Sequence, residues 1–164
     1  PVCDIPRACL FAAPWPHSRS YAVLHPFASA EEKAWPAERF AALARQLPME
    51  PVILAGPTDD TTVFNGLRVV RASLSDVKSL LASASLFIGN DSGPAHMAAA
   101  LGVPVTVLYG PSNPVVWAPW KPVAAEVPLC VPPAPATEVL IRPAMADISI
   151  DEVQAAVERL KAPV

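Results

Sequence analysis

Short apolar runs alternating with helical patterns predict an α/β domain built on an open parallel sheet with flanking helices. Two further observations agree. The 164 residues, 52% of hydrophobic types, suffice for one compact domain with a sizeable core. Each apolar run is also followed by a loop of small or polar residues, and in an open parallel sheet such loops gather along one rim, where ligands bind.

Tyr21–His25 (YAVLH) reads as the first strand. Pro36 to Leu47 follows as a helix, with Phe40, Leu43, Ala44 and Leu47 at helical spacing and Pro36 suited to the first turn. Pro51–Gly56 (PVILAG) is a second strand, bounded by proline and glycine, and Leu67–Arg71 (LRVVR) a third. A helix from Leu74 to Ser83 is capped by Ser73, with Asp76 as the acidic partner of a capping box. Leu86–Gly89 (LFIG) is the fourth strand. Pro94–Leu101 is a short Ala-rich helix that Gly102 ends in the left-handed conformation, and Pro104–Tyr109 (PVTVLY) is the fifth strand. Gly110 to Ala146 is Pro-rich and irregular, with room for one or two short strands, and Asp151–Leu160 closes the chain as an amphipathic helix. Residues 1–20 read as a linker or N-terminal extension, and 21–164 as the domain.

Composition narrows the function. Net charge is −3, from 12 Lys+Arg against 15 Asp+Glu, so an electrostatic nucleic-acid binder is not expected. The longest apolar stretch, Ala95 to Tyr109, is broken by His96, Gly102 and Pro104 and is shorter than the ~20 residues of a spanning helix. Asp4 and the early prolines make a poor signal peptide, and a start at Pro1 suggests a processed or excised piece. Cys3, Cys9 and Cys130 lack metal-site spacing and read as reduced thiols of a cytoplasmic protein. Proline is in excess, 21 residues or about 13% against roughly 5% in average usage, so many segments are punctuated by fixed-φ residues.

Five loops should share the rim: PFASAEEK, GPTDD, ASLSD, NDSGPAH and GPSNP. In Asn90–His96, Gly93 allows a ligand close to the backbone, and the free N–H groups of the next helix favour an anion such as phosphate. Asp91 is suited to sugar hydroxyls and His96 to a phosphate oxygen. The competing reading makes Asp91 or Ser92 a simple cap and His96 a surface or satisfied core residue. Ser29 and Lys33, after the first strand, suit a diphosphate, unless Lys33 is an ordinary solvated lysine and Trp35 only a hydrophobic staple. Asp59 and Asp60 either meet a ribose or serve their own turn. The G-N-D-S-G order at Gly89–Gly93 is not the G-x-S-x-G hydrolase elbow, and neither a P-loop lysine nor a G-x-G-x-x-G is present.

Taken together, HPFAS…EEKAWPAERF, VILAGPTDD and the segment from LSDVKSLL to GPSNPVVWAP resemble the ADP-heptose:lipopolysaccharide heptosyltransferases, glycosyltransferase family nine, over about Tyr21 to Trp120. The ending MADISIDEVQAAVERL is also similar to that family's C-terminus. The resemblance implies a GT-B architecture of two Rossmann-like domains, of which this is the C-terminal, donor-binding one. It implies inverting transfer of heptose from ADP-heptose to the lipopolysaccharide inner core, and no resident cofactor or metal, in keeping with the lack of a D-x-D pair. Lys33 and Ser29 would contact the diphosphate and Asp91 the heptose hydroxyls. Ser92, Gly93 and His96 would surround the phosphates, with Asp59 near the adenosine. Lys33 and Asp91 would carry the catalysis contributed by this chain. The general base would be an aspartate of an N-terminal domain that also meets the lipid-linked acceptor, with peripheral contact at the inner membrane. The chain alone would bind donor weakly and transfer nothing. Two alternatives stay open: half of another GT-B enzyme using a different nucleotide sugar, or a non-catalytic nucleotide-sugar-binding module.

Overall fold

The computed structural model describes residue 10 and residues 12–16, 19–111 and 137–161. Six strands form one parallel sheet: β1 (Tyr21–His25), β2 (Glu50–Leu54), β3 (Arg68–Val70), β4 (Leu86–Asn90), β5 (Val105–Tyr109) and β6 (Thr137–Ile141). Their order is β3-β2-β1-β4-β5-β6. The longer helices are α1 (Ala37–Ala44), α2 (Leu74–Ala82), α3 (Gly93–Ala100) and α4 (Ile150–Lys161). The Cys and Pro residues of the segment 112–136 lie outside the described residues, as do Cys3 and Cys9; β6 is the one strand described in the Pro-rich stretch.

Both faces of the sheet are covered, and the strands show it residue by residue. Along β1, Ala22 and Leu24 point into one core with Ile53, Ile88 and Leu108, beneath Phe40 and Leu43 of α1 and Val153 and Val157 of α4. Tyr21 and Val23 point into the other with Val52, Phe87, Val105 and Val107, beneath α2 and the Ala95 and Ala98 face of α3. Alternate side chains face opposite sides of a strand, so a strand buried on both sides reads as an unbroken apolar run. Each large side chain sealed in this way stabilises the fold by about 1.5–3 kcal/mol.

Helix ends follow local chemistry. α1 begins one residue later than its proline suggested: Pro36 stands just outside as the N-cap residue, with φ −50° and ψ 129°. Trp35 before it packs edge-on against Phe40, ring centroids 4.8 Å apart, which is the hydrophobic staple. At the end of α3, Gly102 takes φ 81°; its N–H bonds to the Ala99 carbonyl and that of Val103 to the Ala98 carbonyl, both at 3.1 Å. That pair of bonds is a Schellman motif, and it turns the chain directly into β5.

Part of the N-terminal segment is seated on the domain. The Leu10 N–H meets the Ala100 carbonyl at 3.2 Å, the Trp15 N–H meets Ser83 Oγ at 2.8 Å, and Trp15 packs against the α2–α3 core.

Candidate functional site

The strand order reverses between β1 and β4. The chain leaves β1 for α1 on one face and leaves β4 for α3 on the other, so the two loops part over the carboxyl edge of the sheet. That crevice is where an open α/β sheet binds ligands. At its root the strands run close: a Cβ on Gly89 would lie 2.8 Å from the Phe87 ring and 3.1 Å from the His25 carbonyl oxygen.

The β1 loop carries Ser29, exposed, and then the 3-10 turn Glu31–Lys33. Lys33 is partly exposed, and its ammonium makes no ion pair among the described residues. The loop ends on Trp35, which is buried and donates its indole N–H to the Ile148 carbonyl at 2.8 Å. A cavity of about 540 Å³ opens beside this loop, lined by Phe27, Ser29 and Trp35 and, from the β2 loop, Asp59. Ser29 and Asp59 are thereby brought to one cleft.

The β4 loop holds the second group. Asp91 is mostly buried (side chain 13% exposed), with one carboxylate oxygen 3.8 Å from Nε2 of the more exposed His96 (43%). Tyr109 adjoins it. Burial pushes the Tyr109 phenol up, and the charge of Asp91 and a hydrogen bond to it act in the same direction, so the hydroxyl remains a donor. Ser92 occupies the N-cap position of α3 yet makes no capping bond; its Oγ lies 3.2 Å from His25 Nδ1. Burial lowers the His25 pKa to about 4, against the opposing charge of Asp59, so this imidazole is neutral at neutral pH.

The start of α3 is open. Gly93 is its first residue and Pro94, which lacks an N–H, its second, while the Ala95 N–H turns back to the Ser92 carbonyl at 3.1 Å. The Gly93 N–H therefore has no partner within the helix, and a Cβ at Gly93 would meet nothing within 4 Å. Gly93 serves here as a bare approach to the helix end rather than as a turn of unusual φ.

The β2 loop spends its polar groups on itself. Asp59 Oδ2 accepts from the Gly56 N–H at 2.7 Å, and Asp60 Oδ1 accepts from the Thr62 N–H at 2.9 Å. Arg71 donates to the Gly56 and Asp59 carbonyls at 3.1 and 2.8 Å. The turn reading is thus present for both aspartates, and Asp59 alone also faces the cleft.

Three residues outside the sequence-derived set matter: His25, Tyr109 and Asn90. Asn90 is fully buried at the end of β4; its Nδ2 donates to the Pro26 carbonyl at 2.8 Å and its Oδ1 accepts from the Trp35 N–H at 3.0 Å. The available signal was a lone amide closing an apolar strand, because a buried amide must find partners.

The model of glycosyltransferase family 9 (heptosyltransferase) matches residues 6–139. The chain belongs to this family. It is 31% identical over 118 residues to lipopolysaccharide heptosyltransferase 3 of Escherichia coli, a match covering 63% of this chain and 35% of that protein. The chain thus spans about a third of that relative's length. Among solved structures, a family 9 glycosyl transferase of Veillonella parvula superposes with a TM-score of 0.72 at 26% identity, over 86% of this chain and 46% of that one. The ADP-heptose LPS heptosyltransferase II of E. coli does so with a TM-score of 0.68 at 25% identity, over 87% and 46%. The fold is accordingly one Rossmann-like half of a GT-B glycosyltransferase.

Proposed function

We propose that this chain is the donor-binding domain of an inverting heptosyltransferase that takes ADP-heptose and serves the lipopolysaccharide inner core. The observation that carries the reading is the open start of α3 at the carboxyl edge of the sheet, with Lys33, which makes no ion pair among the described residues, on the loop that leaves the adjacent strand β1. The family's relatives include an ADP-heptose heptosyltransferase. A free N–H at the positive end of a helix dipole suits a diphosphate oxygen.

In this arrangement Ser29 and Lys33 hold the diphosphate from the β1 loop, while the Gly93 N–H, Ser92 and His96 hold it from α3. Asp91, kept in place by Tyr109, accepts hydrogen bonds from heptose hydroxyls. The free oxygen of Asp59 faces the ribose. An acceptor hydroxyl attacks the anomeric carbon and gives its proton to a base. The bond from that carbon to the diphosphate oxygen breaks, and its electron pair stays on ADP. Lys33 and the α3 amide stabilise that growing charge. The base, an aspartate, and the surface for the lipid-linked acceptor belong to a preceding domain, which works in the cytoplasm against the inner membrane.

Calorimetric titration of the 164-residue chain with ADP and UDP tests this. ADP should bind, UDP more weakly, and Lys33→Ala should reduce ADP affinity by about tenfold, as expected for loss of a charge-assisted contact. Asp91→Ala should affect ADP-heptose more than ADP. If neither nucleotide binds and the substitutions change nothing, the donor-site reading is wrong.

A further inference from the structure

The β1 loop needs a device to hold it, because Ser29 and Lys33 lie on eight residues of backbone between Pro26 and Trp35 with little regular structure. Among the described residues, the only hydrogen bonds within the loop itself are those of the single 3-10 turn, Lys33 N–H to the Ala30 carbonyl and Ala34 N–H to the Glu31 carbonyl. Both ends of the loop, however, meet one side chain. Asn90 donates to the Pro26 carbonyl where the loop leaves the sheet, and accepts from the Trp35 N–H where it enters α1. No other residue type fits both tasks at that size, since a carboxylate cannot donate and a hydroxyl cannot span the two ends. Asn90 immediately precedes Asp91, so the clamp also fixes the loop to the strand that delivers the start of α3.

We infer that Asn90 is a positioning residue for donor binding: by clamping Pro26 and Trp35 it sets the span and height of the β1 loop, and so positions Ser29 and Lys33, the groups of that loop proposed to hold the diphosphate. The inference rests on the donor-site reading above. Asn90 touches no substrate in this scheme and acts chiefly through Lys33, the charged group of the loop, with a smaller share through Ser29. His25 and Ser92 make a second tie between the same two loops, from the strand end of one to the helix cap of the other. A ligand held from both loops depends on these ties because neither loop alone fixes the distance between them.

The test separates placement from mere folding. ADP is titrated calorimetrically into the chain, Asn90→Ala, Lys33→Ala and the double variant, with Thr106→Val as the control. Thr106 is a buried residue of β5 whose hydroxyl finds no partner among the described residues. Stoichiometry reports the folded fraction and Kd the site. Asn90→Ala should weaken ADP by about tenfold at the Kd level, the scale of one misplaced charge-assisted contact. In the Lys33→Ala background the same change should have an effect within about twofold, and Thr106→Val should leave Kd unaltered.

An Asn90→Ala protein with lowered stoichiometry or melting temperature but unchanged Kd would overturn the inference. So would an undiminished loss in the Lys33→Ala background. If Lys33→Ala itself leaves ADP affinity intact, the donor-site reading has failed first. Amide exchange on the unsubstituted chain tests the clamp without any variant. The Trp35 amide should exchange as slowly as those of β4, and ADP should slow the amides of residues 28–33. A Trp35 amide as fast as that of Ser29 would refute the clamp.

Discussion

α2 and α3 both leave the sheet rim from a serine, and the two serines are used in opposite ways. Ser73 Oγ accepts from the Asp76 N–H at 3.2 Å and donates to the Asp76 carboxylate at 2.8 Å, so α2 starts with its own cap and a negative charge. Ser92 makes no such bond; its hydroxyl turns to His25, and the Gly-Pro that follows leaves α3 open. A serine cap contributes about 1 kcal/mol, which α3 forgoes. A helix start left uncapped on a ligand rim reads as a site, and a capped one as architecture. Asp59 and Asp60 repeat the contrast, since their loop satisfies its own amides while the β4 loop reaches across to β1.

The largest expected consequence lies with the histidine that holds Ser92. His25 has a folded pKa near 4, lowered by burial, against about 6.5 for an exposed imidazole. Between these values the unfolded chain binds more protons, so stability rises with pH across that window. The contribution is complete above pH 6.5 and falls away as pH drops towards 4, by on the order of 2–3 kcal/mol. Urea unfolding at pH 7 and pH 4.5 measures it. His25→Gln, which keeps a polar partner for Ser92 without the titration, should flatten the difference by most of that amount. An unchanged pH slope in the variant would place the acid sensitivity elsewhere.

Next in size is a substitution that should separate stability from binding at α3. Ser92→Asp supplies a good cap and a negative charge at the positive end of the helix, worth about 0.5–1 kcal/mol if the carboxylate reaches the Ala95 N–H. The same charge occupies the place proposed for the diphosphate. The variant should be as stable as the parent or slightly more so in urea, yet bind ADP at least about tenfold more weakly. ADP affinity that survives Ser92→Asp would show that the diphosphate does not face this helix end.

The fold was open to reading because its determinants are local. YAVLH, LFIG and PVTVLY are apolar runs punctuated by turns, and Gly102 sits where a Schellman motif needs it. Strand pairing, by contrast, brings together residues far apart in sequence, so the contacts that hold the site were out of sight. Asn90 meets Pro26 and Trp35 across 64 and 55 residues, and Ser92 meets His25 across 67. The sequence pattern could nominate Ser29, Lys33, Asp91 and Gly93 from their loops. It could not choose between cap and contact for Ser92, because that depends on whether a histidine from another strand lies within reach.

The smallest effect should come from the closed end, and it is the control that gives the comparison its meaning. Ser73→Ala removes the bond to the Asp76 N–H and the partner of the Asp76 carboxylate, both solvent-exposed. The expected loss is about 1 kcal/mol of stability, typical of a serine cap. ADP affinity should stay within about twofold, because the Asp76 carboxylate in the first turn of α2 disfavours an anion there. Measured side by side, Ser73→Ala should move urea unfolding and spare binding, whereas Ser92→Asp should do the reverse. If Ser73→Ala weakened ADP as strongly as Ser92→Asp, the start of α2 would belong to the site, and a helix end closed by its own residues could no longer be taken as a sign that no ligand sits there.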